Sequence, residues 1–419
     1  MVGLYRPRIV DAELRNKLGS VGAVVIEGPK ASGKTATARQ QSRSEVLLDV
    51  DVNARQAASI EPSLILEGAT PRLLDEWQTL PSIWNHVRRA VDDRQRAGQF
   101  ILTGSAAAAD DVIRHTGAGR ISRILMRPMS LAETGHSSGT ISLRSLLASG
   151  EFGPGESALA FHDLLDQSVR GGWPGILDVS QREAQQYVRD YLDEIRRTDI
   201  RSVDGVRRHP DRIQRLLQSL ARNVATEASL ATLAADTGGA DGPLDVHTVR
   251  DYLTALGRLF VIEDQPSWST QLRSRDQMRK AAKRHFVDPS LAAAALRADP
   301  GRLLADLNLF GLLFESLVVR DLRVYAQACD AVVRHYRDNK GLEIDAIVET
   351  TGGAWAAFEV KLGGEDHLDQ AARNLLKFNE KVDTSRVGPP AKLGIITSRG
   401  YAYERPDGVA VVPIGMLGP

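Results

Sequence analysis

Residues Gly28-Pro29-Lys30-Ala31-Ser32-Gly33-Lys34-Thr35 follow an apolar run at 21–26 and precede an alanine-rich helical stretch. A glycine, four residues and then Gly-Lys-Thr let the backbone curl into a nest of N–H groups, backed by the positive end of the next helix. Such a phosphate-binding loop (a Walker A sequence) joins a buried strand to a helix, so it commits the first part of the chain to an α/β sheet that takes a polyphosphate. The expected nucleotide contacts are Gly28, Pro29, Lys30, Ala31, Ser32, Gly33, Lys34, Thr35 and, opening the helix, Ala36. Lys34 would reach the β- and γ-phosphates of ATP, and the Thr35 hydroxyl would hold Mg²⁺.

Short apolar runs at 23–27, 46–50, 72–75 and 100–103, with a weaker one at 121–126, alternate with helical stretches at 34–41 and 81–96. That alternation predicts a parallel sheet covered on both faces. The run at 72–75 ends in Asp75 and Glu76, about 40 residues behind Lys34, where the neighbouring strand tip lies beside the phosphates. Asp75 is therefore the expected Mg²⁺ acid and Glu76 the expected general base. Thr103 or Ser105, at the end of the next strand, would touch the γ-phosphate or the attacking water. Arg120, with Arg123, is the candidate to neutralise transition-state charge across a subunit interface, which implies a homo-oligomer with an arginine supplied in trans.

The length of 419 residues suggests two to four domains. Cys329 is the only cysteine, so no internal disulfide can form and a reducing, cytoplasmic setting is expected. No segment approaches the roughly 18–20 continuous apolar residues of a membrane span, and residues 1–7 lack the pattern of a secretory signal. With 53 basic and 53 acidic residues the chain has no global charge footprint for nucleic acid, so any such footprint must be local.

Three segments are expected: an ATPase domain at 1–140, a helical domain at 141–300 and an α/β domain at 301–419. In the middle segment, helical patterns at 185–198 and 211–224 are followed by a helix at 229–236, a glycine-rich turn, a helix from 246 and a strand at 259–263. That order resembles a winged helix-turn-helix. Arg273, Arg275, Arg279, Lys280, Lys283 and Arg284 crowd the stretch behind it, as a phosphate-tracking arm would, with Asp276 interrupting the run. The last segment reads as a helix at 303–327, strands at 331–337, 342–349 and 355–361, a helix at 366–380 and strands at 393–397 and 409–413. Alternation places Glu343 with Asp345, and Glu359 with Lys361, on single faces of adjacent strands. Asp345 and Glu359 would bind a second Mg²⁺ there, with Glu315 as a further acid; the bland alternative is a cross-strand charge arrangement.

Residues 5–133 resemble the prokaryotic AAA-type ATPases, whose N-terminal part reads as a strand, Gly-Pro-Lys…Gly-Lys-Thr, Leu-Asp-Glu, Leu-Thr-Gly-Ser and Gly-Arg. Arg127-Pro128-Met129-Ser130-Leu131-Ala132-Glu133 is similar to the segment closing that domain. Gly171-Gly172-Trp173-Pro174 is similar to the family's Gly-Gly-aromatic-Pro turn, and 187–200 to its helix ending near Asp199. The resemblance covers nearly the whole chain. It implies an α/β protein with an AAA-type P-loop NTPase domain, a helical and winged-helix-like middle and a restriction-endonuclease-like C-terminal domain. Ile344 stands where the full nuclease motif has proline, which bears on catalysis more than on fold. The implied function is ATP hydrolysis with Mg²⁺, ATP and ADP as ligands, and action on or near DNA. The alternative is a regulatory ATP switch that binds protein partners through a catalytically dead scaffold. A small-molecule kinase finds no acceptor signature in the sequence.

Overall fold

Five short strands, β1 (Ala23–Glu27), β2 (Ser44–Leu47), β3 (Arg72–Asp75), β4 (Phe100–Gly104) and β5 (Ile121–Leu125), pair in parallel in the order β2-β3-β4-β1-β5. They belong to a computed structural model that describes residues 5–105, 117–200, 205–206, 208–269 and 281–419. Alternation sorts their side chains onto two covered faces. Val24, Ile26, Leu73 and Ile101 pack with Val10, Leu14 and Leu18 of the helix Val10–Leu18. Val25, Leu74, Phe100 and Leu102 pack with Val87 and Val91 of the helix Ile83–Arg94. Both faces being buried is why these strands read as continuous apolar runs. The run expected at 46–50 stops at Leu47, because Asp51 caps the helix Val52–Ile60 through the Ala54 N–H and the intervening residues turn.

Beyond this sheet the chain reaches β6 (Ile141–Ser142) and β7 (Gly155–Glu156) before turning helical. The helices Phe161–Arg170 and Gln181–Glu194 come first, and the second runs on as a π-helical turn, Ile195–Asp199. Pro210–Arg222, Leu230–Gly238 and Val246–Arg258 follow, then an antiparallel pair, β8 (Ile262–Gln265) and β9 (Lys283–Phe286). The strand expected at 259–263 begins three residues later. Helix continues to Arg258, and Phe260 takes a left-handed φ of 54° that turns the chain first.

The last segment forms a seven-stranded sheet with β10 (Ala331–Arg337), β11 (Glu343–Thr350), β12 (Trp355–Lys361), β13 (Lys392–Thr397), β14 (Tyr401–Glu404) and β15 (Ala410–Pro413), in the order β10-β11-β12-β13-β15-β14-β7. β10, β11 and β12 run antiparallel, whereas β12, β13 and β15 are parallel. A crossover helix, Glu365–Lys381, links β12 to β13. The single helix expected at 303–327 is two helices, Pro300–Ala305 and Leu307–Ala328, because Asp306 leaves helical geometry and caps the second through the Leu309 N–H.

β16 (Leu417–Gly418) returns to pair with β6, and one apolar cluster runs from Leu131 to Leu417. The middle and last segments thus share a core, and β7 of the middle segment extends the last sheet. Among the described residues no helix is long and apolar enough to cross a membrane.

Candidate active site

The phosphate-binding loop lies at the carboxyl edge of the first sheet, between β1 and the helix Lys34–Arg39. Its curl needs backbone that most residues resist: Gly28 has φ 154°, Ala31 60° and Gly33 99°. A Cβ on Gly28 would lie 2.1 Å from the Met126 carbonyl oxygen, so only glycine lets the loop pass the end of β5 this closely. The Lys34 ammonium is buried and donates to the carbonyls of Gly28 (3.0 Å) and Pro29 (2.7 Å). Burial pushes it down to about 8, with Glu76 and Asp75 working in the opposite sense.

Thr35, Asp75 and Thr103 meet at this edge. The Thr35 hydroxyl donates to Asp75 Oδ1 at 2.8 Å, and the Thr103 hydroxyl donates to the same oxygen. Asp75 is buried. A hydroxyl and a carboxylate side by side form the hard-oxygen donor set that suits Mg²⁺. Glu76 follows in left-handed conformation (φ 52°, ψ 47°), and its N–H donates to Thr103 Oγ1 at 3.3 Å. Its carboxylate accepts from Ser105 Oγ at 3.0 Å and from the Gln78 amide. The residues expected to gather around the loop from β3 and β4 are gathered there.

The cleft holding Lys34, Thr35, Glu76 and Ser105 has a volume of about 940 Å³ and is also lined by Pro174, Gly175 and Leu259. An adjoining cavity of about 650 Å³ shares Gly33, Ala36, Pro174 and Gly175 with it and adds Tyr5, Pro7, Thr37 and Met129. The Gly-Gly-aromatic-Pro turn therefore walls the phosphate site. It is pinned where it lies: the Met129 N–H donates to the Gly172 carbonyl (2.7 Å), and a Cβ on Gly172 would meet Met129 O at 2.0 Å.

Arg120 lies at the other pole of the sheet. Its carbonyl accepts from the Ala23 N–H at the start of β1, and its guanidinium pairs with Asp92 at 2.8 Å. Five residues of strand, about 16 Å at ~3.3 Å each, separate it from the loop. Arg120 and the loop of one chain are not brought together. Arg123 pairs with Glu27 and stacks on Trp84 at 5.1 Å.

Arg8 was not legible from the motifs. Its buried guanidinium donates to the Ser32 carbonyl inside the loop (2.8 Å), to the Arg127 carbonyl (2.8 Å) and to Glu133 (2.9 Å). Arg127 in turn grips Glu263 of β8 with two parallel bonds of 2.6 and 2.9 Å. Burial opposes the charge on Glu263, yet Arg127 and Arg323 hold it down to about 2.

In the last segment, Asp345 on β11 lines a pocket of about 770 Å³ with Glu315 and Lys361, and Glu359 on β12 joins the group through Lys361. Lys361 reaches Glu359 at 2.7 Å and Asp345 at 3.6 Å, and the Val360 N–H donates to Asp345 Oδ2 at 2.9 Å. On the other side, Lys283 contacts Glu343, Glu315 and Asp345. Burial first, then the charge of Asp345, pushes Glu315 and Glu359 up to about 8. Asp345 is itself buried, but the two lysines hold it below the usual carboxylate range. Among the described residues no group of three or more histidine, cysteine or acidic side chains stands ready to hold a metal ion; lysine ammoniums face these carboxylates instead.

The expected phosphate-tracking arm loses two members. Lys283 is buried among acids, and Arg284 donates to the Ala228 carbonyl at 2.6 Å beside Asp264. Long-range carboxylates draw Lys283 inward. Arg273, Arg275, Asp276, Arg279 and Lys280 lie outside the described residues.

Known proteins match this arrangement segment by segment. Residues 20–135 match the family model of an AAA domain, residues 161–302 a domain of unknown function (DUF8612) and residues 310–417 a domain of unknown function (DUF4143). Two uncharacterized proteins, Mb2031c of Mycobacterium bovis and Rv2008c of Mycobacterium tuberculosis, are each 24% identical over 99% of this chain and 85% of their own length. Among solved structures, the Walker-type ATPase paby2304 of Pyrococcus abyssi aligns at 13% identity over 68% of this chain and 94% of that one, with a TM-score of 0.37. A DNA replication initiation factor aligns at 15% identity over 60% and 90%, with a TM-score of 0.22. The AAA domain falls on the parallel sheet and DUF4143 on the last segment, the combination seen in the resemblance to prokaryotic AAA-type P-loop ATPases that carry a C-terminal domain of unknown function.

Proposed function

We propose that the protein hydrolyses ATP at the loop of residues 28–35, and that turnover moves the domains beyond it. The observation that carries this reading is the meeting of the Thr35 hydroxyl, Asp75 and Thr103 beside a Glu76 held by Ser105. Mg²⁺ bound by Thr35 and Asp75 would screen the charge of the transferring phosphoryl group. Lys34 would exchange its two loop carbonyls for β- and γ-phosphate oxygens. Glu76 would take a proton from the attacking water. Thr103, bonded to both Asp75 and the Glu76 backbone, would fix their spacing. Because Arg120 lies at the pole opposite the loop, its part in charge neutralisation requires a second copy of the chain.

For the distal domains we read action on DNA. In its support stand three successive helices ending in the antiparallel pair β8 and β9, and the Asp345, Glu359 and Lys361 cluster on a helix, three strands, helix, strand order. The lysines already seated on those acids favour the other reading, a nucleotide switch with a silent scaffold. One experiment separates them: the purified protein is given duplex DNA with and without ATP and Mg²⁺. ATP turnover lost in Lys34→Ala is expected in either case. Cleavage or retention of DNA that Glu359→Ala abolishes supports the first reading, and turnover with unaltered DNA supports the second. ATP turnover undiminished in Lys34→Ala would overturn the hydrolysis site itself.

The depressed Lys34 gives a pH signature. Below about 8 the ammonium is charged and attracts phosphate; above it the amine is neutral. Nucleotide affinity is therefore expected to weaken between pH 7.5 and 9.5, approaching tenfold per pH unit at the upper end by proton linkage. A fluorescent nucleotide titrated across that range, beside Lys34→Arg, checks it. Lys34→Arg should flatten the dependence, since a guanidinium stays charged.

A further inference from the structure

The carboxylate of Glu76 is gripped by one of its two oxygens. Ser105 Oγ donates to Oε2 at 3.0 Å. The Gln78 amide nitrogen donates to the same Oε2 and, at 3.2 Å, to Ser105 Oγ. Oε1 accepts no hydrogen bond among the described residues. Glu76, Gln78 and Ser105 all line the 940 Å³ cleft at the phosphate loop. Two donors on one oxygen fix the plane of the carboxylate and leave the other oxygen as the proton acceptor, the arrangement of a base oriented by a further group.

The orientation of the Gln78 amide leaves an acceptor over. Its Oε1 is buried without a hydrogen-bond partner among the described residues. Turned over, that carbonyl would face a carboxylate, so the charge of Glu76 decides which end of the amide meets it. Buried polar atoms nearly always find partners, so an amide with its oxygen left out is held by its nitrogen. The backbone fixes where that nitrogen lies. Gln78 is the middle residue of the 3₁₀ turn Trp77–Thr79, which Thr79 closes by donating its N–H (3.0 Å) and its hydroxyl (2.9 Å) to the Glu76 carbonyl. Trp77 anchors the turn, fully buried with its ring 5.1 Å from that of Trp84. Gly104 leaves room for it: a Cβ there would lie 3.0 Å from both Gln78 Oε1 and Trp77 Nε1.

We propose that Gln78, acting with Ser105, is the positioning residue of the hydrolytic site: it holds one oxygen of Glu76 so that the other meets the attacking water. The proposal rests on reading Glu76 as the base. Gln78 touches neither phosphate nor water in this role. It acts only through Glu76, and that makes it separable by experiment from a residue that binds nucleotide or supports the fold.

The test is a double-mutant cycle on the full chain with ATP and Mg²⁺, read by single-turnover phosphate release and by nucleotide affinity. Gln78→Met keeps the length of the side chain and removes both N–H donors. Gln78→Glu keeps the shape and sets a second carboxylate against the first. Each is expected to slow turnover on the order of 10–10²-fold, as a small misplacement of a reacting group does, with nucleotide affinity within about twofold of the parent's. In a Glu76→Gln background neither should slow turnover more than about twofold further, because the group they position is already gone. If Gln78→Met does not fold, Gln78→Glu and Ser105→Ala, which removes the other donor to Oε2, are read the same way. The same slowing with and without the Glu76 carboxylate would overturn the positioning role while leaving Glu76 as base. A fall in nucleotide affinity as large as the fall in turnover would also overturn it, making Gln78 a binding or structural residue. Turnover undiminished in Glu76→Gln alone would overturn the base reading itself, a failure distinct from either.

Discussion

Glu76→Gln is expected to bind ATP as the parent protein does and to turn it over about 10²–10⁴-fold more slowly, the range lost with a positioned general base. The amide keeps the shape of the carboxylate and can still bond Ser105, so the cleft should not collapse. What disappears is a group able to accept a proton from water. The backbone gives a second reason to single out this residue. A non-glycine at φ 52° costs on the order of 1–2 kcal/mol relative to helical conformation, and glycine would relieve it. Glu76→Gly should therefore fold at least as well and hydrolyse as poorly as Glu76→Gln, which separates the carboxylate from the turn. Steady-state phosphate release together with nucleotide affinity decides the matter; turnover equal to the parent's would remove Glu76 from the base role.

Arg320→Ala is expected to be the most damaging substitution for stability. Its guanidinium is buried on the helix Leu307–Ala328 and bridges Asp288 at 2.8 Å and Asp321 at 2.7 Å. Each acid carries a further duty. Asp288 accepts from the Gly172 N–H of the turn that walls the nucleotide cleft, and Asp321 from the Leu131 N–H of the segment closing the ATPase domain. Removing the arginine strands two buried carboxylates, which costs about 3–5 kcal/mol. At roughly 2–4 °C per kcal/mol for domains of this size, unfolding should shift down by about 6–20 °C. Arg320→Lys should recover only part of that, since one ammonium cannot fork to both acids. A thermal scan unchanged within 2 °C would show that these acids find other partners.

The gathering of the candidate site residues was legible because its determinants are local. A loop, two strand tips and their polar ends each declare themselves within a few residues, and the rules of parallel sheets bring them together. The same holds for the Asp345, Glu359 and Lys361 cluster, since alternation alone aligns it. Lys283 shows where this stops. Its neighbours in sequence are basic, so it reads as one more solvated charge, whereas its partners lie 32 and 62 positions away. Nothing in the periodicity of 273–284 carries that information. The Asp306 break differs, because an aspartate before Leu-Asn-Leu is a capping signal within the local sequence. Arg8 had no such signal: its role rests on the carbonyls of Ser32 and Arg127, which any residue could have supplied.

The pairing of β16 with β6 bears on how the protein comes off the ribosome. All strands of the first sheet lie within 23–125, so that sheet has its partners once its own segment has emerged. Ser137, next to β6, waits for the Leu417 carbonyl 280 positions later, which at about 5–20 residues per second is roughly 14–56 s of synthesis. Through that interval the nascent chain has its phosphate-loop sheet but an unfinished apolar core behind it. ATP bound early would hold the first domain folded while the rest is still being made.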